Sequence, residues 1–420
     1  MVPLLIMAYG QSNADRYISK PRLDSELLSN MSVITLTSGL GVRGRAYAPN
    51  GRLHKNRIAE FTIDGKRVAD EGAPRVLPAT YHEAKGTALL LSAGAVASAL
   101  TNAPLTGVRA ASKGGLRFVS LPDREGVSGI YRLADGSISP IVTGLVEDAV
   151  ELADHLGAQT GVRPDRCDIL FLHGEADRST PAEAYVAQFR EARAEITQRL
   201  AEQGLTPRWI LTQPAGTSPR GDGNAWQSRR GILMALADDP TLIFAGPLYP
   251  YPLADHIHYG AEGKALIGEL CGRIIAQLDA GEPWLTPMPT GWRLEGGLLH
   301  VDFDTPEPLR IDADARAIGA HGFHVPSGVG IAGAEVSSDS TVTITLDETP
   351  AKPFTLNYAF YRNQKGDPPE GPPFYPVGGG ALRTEWGEPS MLVPGRTLHK
   401  WVPGFSMAVD PAQGAGRFVA

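Results

Sequence analysis

The sequence predicts an α/β protein, a three-layer αβα sandwich around a parallel sheet, with a small antiparallel β domain after it. Three observations carry this reading. Short apolar runs alternate with long helical patterns over the first two-thirds of the chain, prolines crowd the segment around residue 285, and apolar residues beyond it recur at every second position. A length of 420 residues exceeds what one hydrophobic core usually organises, which also favours two units.

In chain order, the strand candidates are Leu4–Ala8, Val33–Leu36, Val108–Ala110, Asp168–Leu172, Trp209–Gln213 and Leu242–Ala245. Their apolar character is continuous, as in strands covered on both faces. Helical patterns lie between them at Thr87–Leu100, Gly144–His155, Ala182–Glu202, Asn224–Ala237 and Ala261–Leu278. Ser179-Thr180-Pro181 supplies a start signal for the third of these. Right-handed crossovers between such elements build a doubly wound, flavodoxin-like sheet.

Pro283, Pro287 and Pro289 end the last helix and mark a linker. Alternating runs follow at Leu299–Phe303, Thr341–Leu346 and Phe354–Tyr361, and the glycine- and proline-rich stretch Lys365–Gly380 reads as an ordered loop. The expected division is residues 1–282 as the α/β unit, 283–291 as linker, 292–395 as the β unit and 396–420 as a tail. No internal repeat is visible.

Composition narrows the function. Hydrophobic residues at 42% and charged residues at 20% are ordinary for a soluble protein, and a net charge of −7 argues against a nucleic-acid partner. No apolar run approaches the roughly 20 residues that span a bilayer, so no membrane partner is expected. Cys167 and Cys271 are too few for a disulfide framework and read as buried thiols. The apolar start Met1–Ala8 lacks a basic region and a cleavage site, so it reads as a first buried strand in a cytoplasmic chain. Export would need a non-standard route.

Three segments carry chemistry. Gly10-Gln11-Ser12-Asn13 puts a serine at the carboxyl end of the first strand, where open α/β folds bind ligands. Asp255-His256-Ile257-His258, just before a helix, offers a base and an acid to orient it. Leu172-His173-Gly174-Glu175-Ala176-Asp177 again sets polar groups at a strand end. Taken singly, each also reads as a turn with helix-capping residues. His256 and His258 share a metal-ligand spacing, but no HExxH or cysteine-rich partner supports it, so no metal and no cofactor are expected.

Together and in this order, the segments resemble the sialate O-acetylesterase and acetylxylan-esterase branch of the SGNH hydrolases over about residues 3–280. Weaker matches are His82–Thr87, Ser112-Lys113-Gly114-Gly115 and Asn224-Ala225-Trp226-Gln227, where the family's arginine is absent at Asn224. The resemblance implies Ser12 as nucleophile, His258 as base and Asp255 as orienting acid, with Glu175 as the competing acid. It implies an oxyanion hole from the Ser12 amide and one from Gly114 or Gly115. His173 stands where the family usually has glutamine, and its titration would alter the pH dependence. Gln11, Asn13 and Gln227 are the expected substrate contacts. No Gly-x-Ser-x-Gly elbow occurs, which argues against the α/β-hydrolase arrangement.

Gly322-Phe323, Asn357-Tyr358-Ala359 and Gly380–Arg383 resemble the β domain that trails some sialate O-acetylesterases. Trp284, Trp292, Trp386 and Trp401 are its candidate sugar-stacking residues or packing residues. The implied activity is a metal-independent carbohydrate O-acetylesterase acting on acetylated sialic acid, xylan or a bacterial surface polysaccharide. The alternatives are a glycan-binding phage tail or surface protein, and a lipid or thioester hydrolase. A second copy of the chain or a virion would be the assembly partner.

Overall fold

The computed structural model describes residues 1–14, 23, 25–29, 32–36, 62–63, 66–67, 76–78, 87–119, 129–215, 226–255, 257–317, 319–326, 328–360 and 379–420. His82, His256, Asn224, Ala225 and most of Lys365–Gly380 lie outside them.

The α/β region runs β1 (Leu4–Gly10), β2 (Val33–Leu36), a two-residue pair β3 (Thr62–Ile63) and β4 (Lys66–Arg67), β5 (Val76–Pro78) and α1 (Leu89–Thr101). It continues β6 (Thr106–Ser112), α2 (Pro140–Thr160), β7 (Arg166–Leu172), α3 (Ala182–Ala201), β8 (Thr206–Gln213), α4 (Gln227–Asp238), β9 (Ile243–Pro247) and α5 (Ala261–Asp279). One sheet orders its strands β5-β2-β6-β1-β7-β8-β9. All neighbours are parallel except the edge pair β2 and β5. An antiparallel edge is common on such sheets and does not disturb the crossovers.

Strand β1 shows why its apolar run is continuous. Leu4, Ile6 and Ala8 join the core formed with α1 and α5, while Leu5, Met7 and Tyr9 join the core under α2, α3 and α4. Period-two alternation across a sheet covered twice buries every residue. Helix α1 is apolar on nearly all sides because α5 lies against it. Gly268 and Gly272 permit that approach: a Cβ at Gly268 would sit 2.3 Å from the Leu89 carbonyl oxygen, and one at Gly272 would sit 2.6 Å from that of Ala93.

The chain winds to one side of β1 through β2 and β6, then crosses it to build β7, β8 and β9 on the other side. The carboxyl end of β1 is therefore a topological switch point, where such sheets leave a crevice.

Beyond α5 the chain is antiparallel β. Strands β10 (Met288–Glu295), β11 (Leu298–Asp304), β14 (Ile331–Ser338), β15 (Thr341–Leu346) and β20 (Ala415–Arg417) form a five-stranded sheet. Two three-stranded sheets join β12 (Leu309–Ile311), β17 (Leu382–Pro389) and β18 (Thr397–Trp401), and β13 (Phe323–His324), β16 (Phe354–Tyr358) and β19 (Phe405–Val409).

Two expectations meet a different arrangement. The segment expected as a tail supplies β18, β19 and β20, with β20 pairing with β10. The segment expected as a linker already contains the start of β10, and Trp284 within it is buried. The reason is packing. Trp284, Leu392, Val393 and Leu398 extend the core that holds α1 and α5.

Buried polar bonds also join the two regions. Glu269 of α5, wholly buried, accepts from the Ser390 hydroxyl at 2.6 Å and from the amides of Met391 at 2.8 Å and Leu392 at 3.2 Å. Gln213 exchanges two 2.8 Å bonds with the backbone of Gly404, and Arg229 donates to the Ala359 carbonyl at 2.5 Å. Burial brings the Arg229 guanidinium down to about 10, so it stays charged at neutral pH.

Candidate active site

The turn after β1 depends on Gly10. Its φ is +153°, and a Cβ there would lie 2.0 Å from the Leu172 carbonyl oxygen of β7. Only glycine lets the two strand ends approach this closely. The Gln11 amide then donates to that same carbonyl at 3.2 Å, and the Ala14 amide closes the turn onto Gln11 at 3.0 Å. Ser12 sits at the tip of this turn, buried with its neighbours Gln11 and Asn13.

Gly114 faces it. A Cβ at Gly114 would fall 3.4 Å from the Ser12 Cβ, while Gly115 takes a left-handed φ of +76° and a Cβ there would meet nothing within 4 Å. Of the two candidate glycines, Gly114 thus brings its backbone against the serine and Gly115 makes the turn.

Asp255 and His258 occupy a short hairpin in which Leu253 bridges Tyr259 and the Ala254 amide donates to the His258 carbonyl at 2.7 Å. One Asp255 oxygen accepts the amides of Ile257 at 2.8 Å and His258 at 2.7 Å, an Asx turn that orients the carboxylate. The other lies 2.8 Å from His258 Nδ1. Burial pushes the Asp255 carboxyl up, but the imidazole and the two amides outweigh it and hold it below its ordinary value. An ionised acid on Nδ1 leaves Nε2 as the ring's base.

Asn13 brings these pieces together. Its Nδ2 donates to Glu175 Oε1 at 2.5 Å and to the Ile257 carbonyl at 3.2 Å, and its Oδ1 accepts the Tyr259 amide at 3.4 Å. One side chain next to Ser12 therefore holds the backbone on both sides of His258. Gln11 does similar work, since its Oε1 accepts the Ala176 amide at 2.9 Å. Both residues, expected as substrate contacts, spend these side-chain atoms on hydrogen bonds within the protein.

Glu175 is fully buried, and burial raises its carboxyl despite its own amide, Asn13 and the nearby His258. Its second oxygen takes no hydrogen bond among the described residues. His173 lies deeper. Its ring meets the Tyr185 hydroxyl at 3.3 Å and the Leu116 carbonyl at 3.1 Å, and packs on Phe118 with centroids 4.6 Å apart. Burial lowers its pKa, so the ring is neutral at physiological pH and braces the Gly114–Phe118 loop. Asp177 braces the same loop by accepting the Phe118 amide at 2.8 Å.

Gln227 starts α4, where its side-chain oxygen accepts from Arg230 at 3.4 Å. It is its neighbour Ser228 that reaches the His-Gly-Glu segment, donating to the Gly174 carbonyl at 2.8 Å. Sequence reasoning missed Ser228 and Tyr259. Asp177 was visible in its motif, although its partner was not. Among the described residues no group of three His, Cys, Asp or Glu side chains is arranged to hold a metal.

No protein-family model matches the sequence, and no curated protein does. A solved carbohydrate acetylesterase from Xanthomonas citri superposes with a TM-score of 0.59 at 16% identity, over 96% of this chain and 80% of its own. The two chains share a fold. That fold extends through the β region as well as the α/β sheet, since the superposition covers nearly the whole chain. Partial likenesses to NanS (TM-score 0.39, 11% identity, 67% of this chain and 98% of that one) and to a carbohydrate acetylesterase from Sinorhizobium meliloti (0.32, 13%, 66% and 99%) are too weak to add to it.

Proposed function

We propose that this protein is a serine esterase of the SGNH type that removes O-acetyl groups from carbohydrate. The observation that carries the reading is the Asn13 bridge, which sets the Asp255–His258 pair beside the Ser12 turn. Acyl transfer needs a hydroxyl nucleophile, a base and amides facing the developing oxyanion. The Ser12 turn, His258 and the Gly114 backbone answer these three needs.

Ser12 Oγ attacks the acetyl carbonyl while His258 Nε2 takes its proton. The carbonyl oxygen becomes an oxyanion facing the amides of Ser12 and Gly114. Collapse breaks the ester bond, and the sugar hydroxyl leaves with the proton returned by His258. Water, deprotonated by the same imidazole, then attacks the acetyl-serine, the acyl–Oγ bond breaks as His258 returns the proton to Ser12 Oγ, and acetate leaves. Asp255 holds the imidazole in the required tautomer throughout.

The carbohydrate assignment is supported by the ordered motif set and by the shared fold with the X. citri carbohydrate acetylesterase. Acetylated sialic acid, xylan and bacterial surface polysaccharide are the substrate classes to test. Acetate release from each, set against hydrolysis of longer acyl esters, decides the reading. Preference for long-chain esters with no acetate released from any glycan would replace it with a lipid or thioester hydrolase.

A further inference from the structure

A cleft is walled in part by Tyr251, Pro252 and Glu262, which flank the Asp255–His258 hairpin in the chain. It has a volume of about 540 Å³, within the range of roughly 300–1,000 Å³ common for small-molecule sites. Its walls come from both halves of the molecule: the loop after β9 and the first turns of α5 on one side, and the β12 and β18 region on the other.

Of the four tryptophans singled out in the sequence, Trp284 and Trp292 are buried, and Trp386 packs edge-on against Trp284 with centroids 5.3 Å apart. Trp401 alone lines this cleft. It is half-buried and braced edge-on by Tyr249, with centroids 6.3 Å apart. A rigidly held, partly open indole is the surface on which the apolar face of a sugar ring stacks.

The lining holds three carboxylates, Glu262, Asp312 and Asp314, against the two guanidinium groups of Arg316 and Arg396, and Arg383 behind Asp312 offsets the third. Glu262 pairs with Arg396, and the Asp312 carboxylate accepts from Arg383 Nε at 2.6 Å. Asp314 and Arg316 stand exposed at the rim with opposite signs. His399 donates from Nδ1 to the Trp386 carbonyl at 2.9 Å, which leaves Nε2 as the ring's acceptor. The lining therefore presents donors and acceptors beside an aromatic face without an excess of either charge. That chemistry suits a neutral polyhydroxylated ligand better than a phosphate, a cation or an acyl chain.

We propose that this cleft is an accessory carbohydrate-binding site, holding a stretch of glycan away from the ester under attack. The choice of a saccharide among neutral ligands rests on the carbohydrate reading of the active site. The placement rests on the loop itself: Tyr251 and Pro252 of the cleft wall precede Asp255, and Glu262 follows His258 on α5. A glycan bound here is tethered beside the catalytic hairpin, so its effective concentration at Ser12 rises while the acyl chemistry is unchanged.

The test uses the full chain carrying Ser12→Ala, so that bound glycan is not processed, on an array of plant and bacterial glycans. At least one neutral glycan should bind, and binding should weaken at least tenfold in Trp401→Ala and in the exposed double variant Asp314→Ala/Arg316→Ala. In the Ser12 background the same substitutions should leave hydrolysis of a small acetyl ester unchanged. Absence of glycan binding overturns the cleft assignment, as does binding that survives in the double variant. So does loss of small-ester hydrolysis in the double variant, which would make the cleft part of the active site. Failure of the wild type to hydrolyse any small ester, with cleft-dependent glycan binding intact, overturns the esterase reading alone.

Discussion

Asn13 Nδ2 donates to Glu175 Oε1 at 2.5 Å, although the two residues are 162 positions apart. The bond follows from the sheet. Parallel pairing of β1 with β7 sets Gly10 opposite Leu172, so the turns that leave both strands emerge side by side. Glu175 is thereby committed to the residue next to Ser12, and Asp255 is the carboxylate on the His258 ring.

Ser12→Ala should lower turnover on a small acetyl ester by at least about 10³-fold with little change in thermal stability, as loss of a triad nucleophile does. A fluorophosphonate probe should label Ser12 in the wild type and nothing in the variant. Label on another serine, with the variant still active, would remove Ser12 from the mechanism.

The two carboxylates should separate by rate. Asp255→Asn leaves an amide on Nδ1 and favours the wrong tautomer, which in such triads costs about 10⁴-fold in turnover. Glu175→Gln should cost no more than about tenfold, because a neutral amide oxygen still accepts from Asn13. The reverse ranking in steady-state kinetics would move the orienting role to Glu175.

His173 predicts a stability profile. Its folded pKa is lowered by burial, so below the unfolded value near 6.5 the unfolded chain binds the extra proton and stability falls with falling pH. His173→Gln removes that proton. Melting curves of the two proteins should run parallel above about pH 7, and the wild type should lose stability faster between about pH 6.5 and 5. Equal slopes in that window would contradict the buried neutral ring.

Chelation should leave activity intact. A histidine base and an oxyanion hole supply what a Lewis acid would otherwise provide, so EDTA treatment should not lower turnover. Loss with chelator and recovery with zinc would return His256 and His258 to a metal role.

Truncation after residue 285 tests how far the halves stand apart. Sequence reasoning expects a soluble, active α/β unit there, because every proposed catalytic residue precedes the prolines. The buried bonds argue for a severe cost. Removing the β region takes backbone partners from Gln213 and Arg229 and leaves Glu269 with Arg273 alone, and each buried polar group left unsatisfied costs about 1–3 kcal/mol. The shortened chain should be poorly soluble or lose its cooperative melt. In the intact chain, Glu269→Ala should destabilise by about 2–4 kcal/mol in urea titration, since the Ser390–Leu392 turn loses its acceptor. A truncated protein with the full-length melting temperature would restore the independent unit.

By itself the sequence determined the elements and marked the candidate chemical groups they carry. Each α/β strand and helix written in local periodicity is present within a few residues of its expected ends, because a segment's apolar pattern is set by the faces it must bury. Helix α2 starts earlier than expected, at a Ser139 cap and Pro140 that the apolar pattern alone does not mark. The serine turn, the Asp255–His258 spacing and the glycine pair are equally local, and so were legible. Tertiary structure alone decided which groups meet. That Asn13 reaches Glu175 and Tyr259, that His173 faces the Leu116 carbonyl, and that Glu269 holds Ser390 all depend on sheet register and helix packing between residues far apart in the chain. The same holds for Trp401, whose residue type suggested stacking. Only the arrangement of Tyr249 and the neighbouring strands opens a cleft beside it, because free volume belongs to the packing of several segments and is written in none of them.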